Sequence, residues 1–107
     1  MARQLRLGIL GLSSGNGHPY SWSAIFNGYN KEAMSKCPFP AIPDYLSKQN
    51  FPNDGLSRLG AVTHIWTQDV GISRRVADAA KIQFIVERPE EMIGAVDAIL
   101  LARDDAA

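Results

Sequence analysis

The residues best suited to chemistry lie in one turn, Gly11-Leu12-Ser13-Ser14-Gly15-Asn16-Gly17-His18. It follows a short apolar run, residues 5–12, and precedes Pro19, which suits the first turn of a helix because its missing N–H costs nothing there. Small residues between a strand and a helix let the backbone approach a ligand closely. Backbone N–H groups and the positive end of the helix favour a bound anion. This is the position of a dinucleotide fingerprint. The strict Gly-x-Gly-x-x-Gly spacing is not met. Counting from Gly11, Ser13 stands at the second glycine and Asn16 at the third, with Gly17 beside it. The same residues also fit a glycine-rich turn that holds no ligand.

Two further groups belong near that turn by chain order. Asp69 stands just past a β-branched run, where an acid accepts hydrogen bonds from the ribose hydroxyls of adenosine. It lies 58 residues after Gly11 against about 20 in the common fingerprint, and a proline-rich stretch over 31–60 accounts for the excess. A carboxylate there repels a 2′-phosphate and favours NAD. Arg74 and Arg75 blunt that preference and leave NADP open. Asp69 equally fits a cap for the helix that follows. Ala102, Arg103 and Asp104 leave the last apolar run at the carboxyl end of a strand, where open α/β sheets bind ligands. They are expected to line the nicotinamide side of a cofactor; the plainer reading is a solvated charged turn.

The remaining reactive side chains point to less. Asp104 and Asp105 have no histidine or second acidic cluster beside them, which argues against a metal. His64 reads as a packed, hydrogen-bonded strand residue. Cys37 stands among prolines without a histidine partner and is not expected to act as a nucleophile. Neither a Gly-x-x-x-x-Gly-Lys-Ser/Thr loop nor a Gly-x-Ser-x-Gly elbow is present. No catalytic residue and no metal ligand is assigned.

Such groups need a scaffold, and the hydrophobic pattern supplies one. Residues 5–12 read as a strand buried on both faces, the parallel-sheet pattern. Trp22, Ile25, Phe26 and Tyr29 fall at i, i+3, i+4 and i+7 and predict a helix with this core stripe, closed by Asn30 as a left-handed cap. Residues 31–60 are broken by Pro38, Pro40, Pro43 and Pro52 and read as an ordered surface insertion with one short helix over 43–49. Strands are predicted over 61–67, 83–86 and 95–102, and helices over 73–82 and 88–93. Strands alternating with helices imply right-handed crossovers and a parallel sheet. The expected fold is α/β: an incomplete, Rossmann-like doubly wound sheet of about four strands. The insertion lies between its first helix and second strand. A doubly wound sheet normally continues beyond such a point, so the chain is expected to be part of a longer protein.

Composition narrows the classes. With 11 basic and 11 acidic residues the net charge is zero, so no excess charge is available to neutralise phosphates of a nucleic acid or an acidic membrane. One cysteine cannot form an internal disulfide, which fits the cytoplasm. No apolar run reaches membrane-spanning length, and the run at 7–12 is too short for the core of a signal peptide.

Taken together, these residues resemble the Gfo/Idh/MocA family of oxidoreductases. Residues 6–11, Arg-Leu-Gly-Ile-Leu-Gly, look like the family's first strand. Asp69 and residues 73–82, Ser-Arg-Arg-Val-Ala-Asp-Ala-Ala-Lys-Ile, are similar to its second-strand acid and following helix. Residues 88–102 resemble the stretch in which a short helix precedes a Val-Asp-Ala strand, the most specific match of the three. The turn at 13–18 departs from the common glycine pattern and looks more like a branch with Asn-x-His there. The resemblance implies an NAD(P)-dependent enzyme that passes hydride between a nicotinamide and a sugar, polyol or related hydroxyl compound. It also implies a homo-oligomer and a second, substrate-binding domain. The family's Glu-Lys-Pro motif with its catalytic lysine has no counterpart here, so this chain is expected to bind cofactor without catalysing. The rival expectation is a non-catalytic nucleotide-binding or regulatory module of the same fold. A receiver-like signalling domain would want acids after the first strand, where Ser13, Ser14 and Gly15 stand.

Overall fold

The apolar run after Gln4 becomes the inner strand β1 (Leu5–Leu10) of a four-stranded, all-parallel sheet, in a computed structural model that describes residues 4–13, 15–51 and 53–103. The elements that follow are α1 (His18–Asn27), α2 (Lys31–Ser35), α3 (Ala41–Ser47) and β2 (Gly60–Trp66). After them come α4 (Val70–Ala80), β3 (Phe84–Ile85), a 3-10 turn (Pro89–Met92) and β4 (Ala98–Leu101). The sheet order is β3-β2-β1-β4. The chain winds outward from β1 through β2 to β3 and then crosses back to place β4 on the other side of β1. The topological switch point therefore lies between β1 and β4, and ligands of open α/β sheets bind at the strand carboxyl ends there. This is the fold expected from the sequence, an incomplete Rossmann-like sheet.

Alternation along β1 explains its two faces. Leu7 and Ile9 are buried with Val62 and Ile65 of β2 against Ala24 of α1 and Val76, Ala79 and Ala80 of α4. Gly8 points the other way. A Cβ on it would stand 2.5 Å from Met92 Sδ, so glycine there lets the fully buried Met92 close over the sheet's second face. On that face Phe84, Ile99 and Leu101 remain about half exposed. β1 pairs with β4 from Leu7↔Ala98 to Leu10↔Leu101 and with β2 from Leu5↔Gly60 to Leu10↔Trp66. The β2 register slips between Leu7 and Gly8, where the partner passes from Val62 to His64.

Several expectations about the helices are corrected. The stripe Trp22, Ile25, Phe26 and Tyr29 is only half-buried; the fully buried side of α1 is Pro19, Tyr20, Ser23 and Ala24. Trp22, Phe26 and Tyr29 still pack against the margin of the core, and Tyr29 also meets Phe51 of the insertion edge-on at 6.0 Å. On the inner side of α1, Tyr20 and Ala24 join the core and Asn27 adds polar bonds. Asn27 accepts from Val62 N–H at 2.8 Å and donates to the carbonyls of Val62 and Ala80. Gly28, at φ 75° and ψ −170°, ends α1 in place of Asn30, in an extended positive-φ conformation rather than the left-handed one expected. Asn30 instead caps α2, a helix the pattern did not reveal, by accepting from Ala33 N–H at 3.0 Å. The insertion has its own buried anchors, Met34 and Leu46. α4 starts three residues before its predicted start, β3 and β4 are shorter than predicted, and the segment at 88–93 is a 3-10 turn. No helix among the described residues is long and apolar enough to cross a membrane.

Candidate functional site

The turn after β1 is built by close contacts rather than by free loop. Gly11 N–H donates to Trp66 O at 3.0 Å and so extends the sheet by one bond. A Cβ on Gly11 would stand 2.3 Å from Pro19 Cγ, so glycine is what lets the first turn of α1 rest on the strand end. Leu12 N–H donates to Gln68 Oε1 at 2.9 Å, and its carbonyl accepts from Gln68 Nε2 at 2.5 Å. Both backbone groups of Leu12 are thus engaged within the protein. Ser13 is buried, and its carbonyl accepts from Asn16 N–H at 3.1 Å. Asn16 is buried too, and its Oδ1 accepts from His18 N–H at 3.0 Å, which closes the tip of α1. Gly15 is exposed, with φ +75° and open space around it. Among the described residues, the N–H groups of Gly15 and Gly17 have no hydrogen-bond partner.

Gly17 serves a second purpose. A Cβ there would stand 2.5 Å from Ile42 Cδ1 and 2.8 Å from the Phe39 ring. Its missing side chain admits the insertion to the side of the turn. His18 is exposed and stacks on Trp22, with ring centroids 4.6 Å apart and planes 12° from parallel. Between this pair, the turn and α3 lies a cleft of about 540 Å³. A cavity of about 440 Å³ lies at the other end of α1, around Tyr29 and Phe51, away from the strand carboxyl ends.

At the end of β2, buried Thr67 and Ser73 bind each other, with hydroxyl oxygens 2.7 Å apart and Thr67 N–H donating to Ser73 Oγ at 3.1 Å. This pair docks α4 on the strand. Asp69 is exposed beside it, and its Oδ1 accepts from Gly71 N–H at 2.7 Å and Ile72 N–H at 3.4 Å. Asp69 is therefore the N-cap of α4, and it stands at the strand end where a ribose-binding acid was expected. At the end of β4, buried Ala102 donates its N–H to Leu10 O at 2.8 Å and carries the ladder one step further. Arg103 Nη1 donates to Gln68 Oε1 at 3.1 Å. Ser14, Asp104 and Asp105 lie outside the described residues.

Gln68 thus joins three neighbouring strand ends: the turn after β1, its own position after β2, and Arg103 after β4. It was not singled out from the sequence. The one available signal was its place, a long polar side chain immediately after a strand that neighbours β1.

His64 stacks on Phe84 at 4.8 Å, and its Nδ1 lies 2.8 Å from Thr63 Oγ1. Burial, with a smaller push from Arg6, holds its pKa below the ordinary histidine value. Burial raises the pKa of the Cys37 thiol, against the Phe39 backbone hydrogen bond. That is the opposite of activation. Tyr20 is raised by burial and then by Cys37, with Arg75 opposing. No group of metal-ligating side chains occurs among the described residues. Comparison with protein-family models, with curated proteins and with solved structures gives no match.

Proposed function

We propose that this chain binds a dinucleotide, NAD in preference to NADP, across the carboxyl ends of β2, β1 and β4. In this reading it is the cofactor-binding part of a cytoplasmic oxidoreductase acting on a sugar, polyol or related hydroxyl compound. One observation carries the proposal: the turn at 11–18, Asp69 and Arg103 converge on adjacent strand ends at the switch point of a β3-β2-β1-β4 sheet.

The residues suit the group unevenly. The open, left-handed Gly15 and the unengaged N–H groups of Gly15 and Gly17 fit a pyrophosphate oxygen. Leu12 fits no direct contact, because Gln68 occupies both its backbone groups. Asp69 spends one carboxylate oxygen on its helix cap, and Oδ2 remains to accept from ribose hydroxyls. Gln68 holds the Arg103 guanidinium at the end of β4, on the side where the nicotinamide would lie. The nicotinamide supplies the hydride chemistry when bound; the residues of this chain bind and orient. Titrating labelled protein with NADH while following backbone amide resonances tests this. The reading requires saturating shifts at Gly15, Gly17 and Gly71, and shifts confined elsewhere would contradict it.

A further inference from the structure

The cleft of about 540 Å³ between α1 and α3 opens beside the dinucleotide turn and shares Gly15, Asn16, Gly17 and His18 with it, but its remaining walls have no part in that reading. Its size falls within the range of small-molecule sites. One wall is the outer face of α1 with His18, Ser21, Trp22 and Ile25, and the other is the insertion with Ile42 and Tyr45. The insertion is seated against the turn by Gly17, so this second wall exists only because residues 31–60 pack there. Tyr45 is 48% exposed, a large aromatic ring left partly open at the rim.

The lining selects its occupant by three properties. Among the described residues it holds no Asp, Glu, Lys or Arg, so away from the turn's N–H groups an ionised group would enter without a counter-charge. Its hydrogen-bonding groups lie at the turn and the rim, in Gly15, Asn16, Gly17, His18, Ser21 and Tyr45. Asn16 Oδ1 is taken by His18 N–H, and the Ser21 hydroxyl donates to His18 O at 3.4 Å. Between them the walls are Trp22, Ile25, Phe39, Ala41 and Ile42, whose side chains offer no acceptor to a polyhydroxylated ring. The stacked His18–Trp22 pair, 4.6 Å apart and nearly parallel, is a column to which another flat ring can be added.

We infer that this cleft is a binding site for a neutral, planar heteroaromatic ring, stacked on the His18–Trp22 column and bordered by Tyr45. The shared chemistry is that of a nucleobase or a nicotinamide, with any charged part left outside the cleft. The site stands whether or not the dinucleotide reading holds.

Adenosine and nicotinamide, titrated separately, distinguish the two sources of such a ring. Trp22 fluorescence in a Trp66→Phe protein reports binding, and the His18 and Trp22 ring resonances of the unaltered protein report it independently. Saturable binding of either probe is expected, weakened about fivefold or more by His18→Ala and by Tyr45→Ala in proteins whose circular dichroism is unchanged. Three results would overturn the inference: no saturation by either probe, a response that survives both substitutions, or an equal response to inositol. Titrating NADH into the same proteins keeps the readings apart, since loss of NADH binding with adenosine or nicotinamide binding intact contradicts only the dinucleotide reading.

Discussion

The side-chain amide of Gln68 pairs with the backbone of Leu12, accepting from its N–H at 2.9 Å and donating to its carbonyl. The pair acts as one more rung of the sheet at the point where β1 and β2 part. It fixes the start of the turn, and through Arg103 it ties that turn to the end of β4. Gln68→Ala leaves two part-buried backbone groups of Leu12 without partners. A loss of about 1–3 kcal/mol is expected, read as a lower urea midpoint at unchanged m-value. NADH binding should weaken in the same variant because the turn loses its anchor. An unchanged midpoint would mean water replaces the amide at no cost.

The glycines of the turn are expected to respond differently to the same substitution. At Gly15 an added methyl meets nothing, but φ +75° is costly for any residue with a Cβ. Gly15→Ala should lose about 1–2 kcal/mol, and Gly15→Asn less, because asparagine tolerates that conformation. At Gly17 the methyl meets Ile42 and Phe39, so Gly17→Ala should destabilise by about 1–3 kcal/mol through overpacking. Ile42→Ala should relieve part of that loss. A double-mutant cycle in thermal or urea unfolding measures the coupling. Additive losses would argue against the contact.

Much of this architecture was legible in the sequence, and the misses have physical causes. The order of strands and helices followed from apolar runs punctuated by turns. Asp69 was placed at the end of a strand beside the turn by chain order alone. The orientation of α1 was not legible, because a stripe such as Trp22, Ile25, Phe26 and Tyr29 is satisfied by an insertion as well as by a sheet. Tyr20, Ser23, Ala24 and Asn27 make an unusual inner side, held partly by the amide of Asn27. Gln68 was missed because its partner lies 56 residues away and becomes visible only when β1 and β2 are neighbours in register.

His64 gives the fold a pH dependence with a definite sign. Its folded pKa lies below the ordinary value of 6.5, because burial, then Arg6, disfavours the imidazolium. Above about pH 6.5 both folded and unfolded chains hold it neutral, and its contribution is complete. As pH falls below that value the unfolded chain takes up the proton more readily, and stability declines. His64→Gln should flatten this decline in unfolding midpoints measured between about pH 7 and pH 5. An identical slope in the variant would show that other groups cause it.

Cys37 is 8% exposed, and burial raises its thiol pKa. A thiol reagent near neutral pH should label the folded protein at least about tenfold more slowly than the urea-unfolded chain. Equal rates would contradict both its burial and its neutral state.

The proposed dinucleotide site sets Asp69 on the ribose. Calorimetric titration of the folded protein with NADH and then NADPH, repeated on Asp69→Asn, tests it most directly. Asparagine keeps an oxygen to cap α4, so the helix should survive while the carboxylate is lost. Saturable binding that favours NADH, with that preference reduced in the variant, is the result expected. Absence of binding by a folded chain, or a preference untouched by Asp69→Asn, would contradict the account.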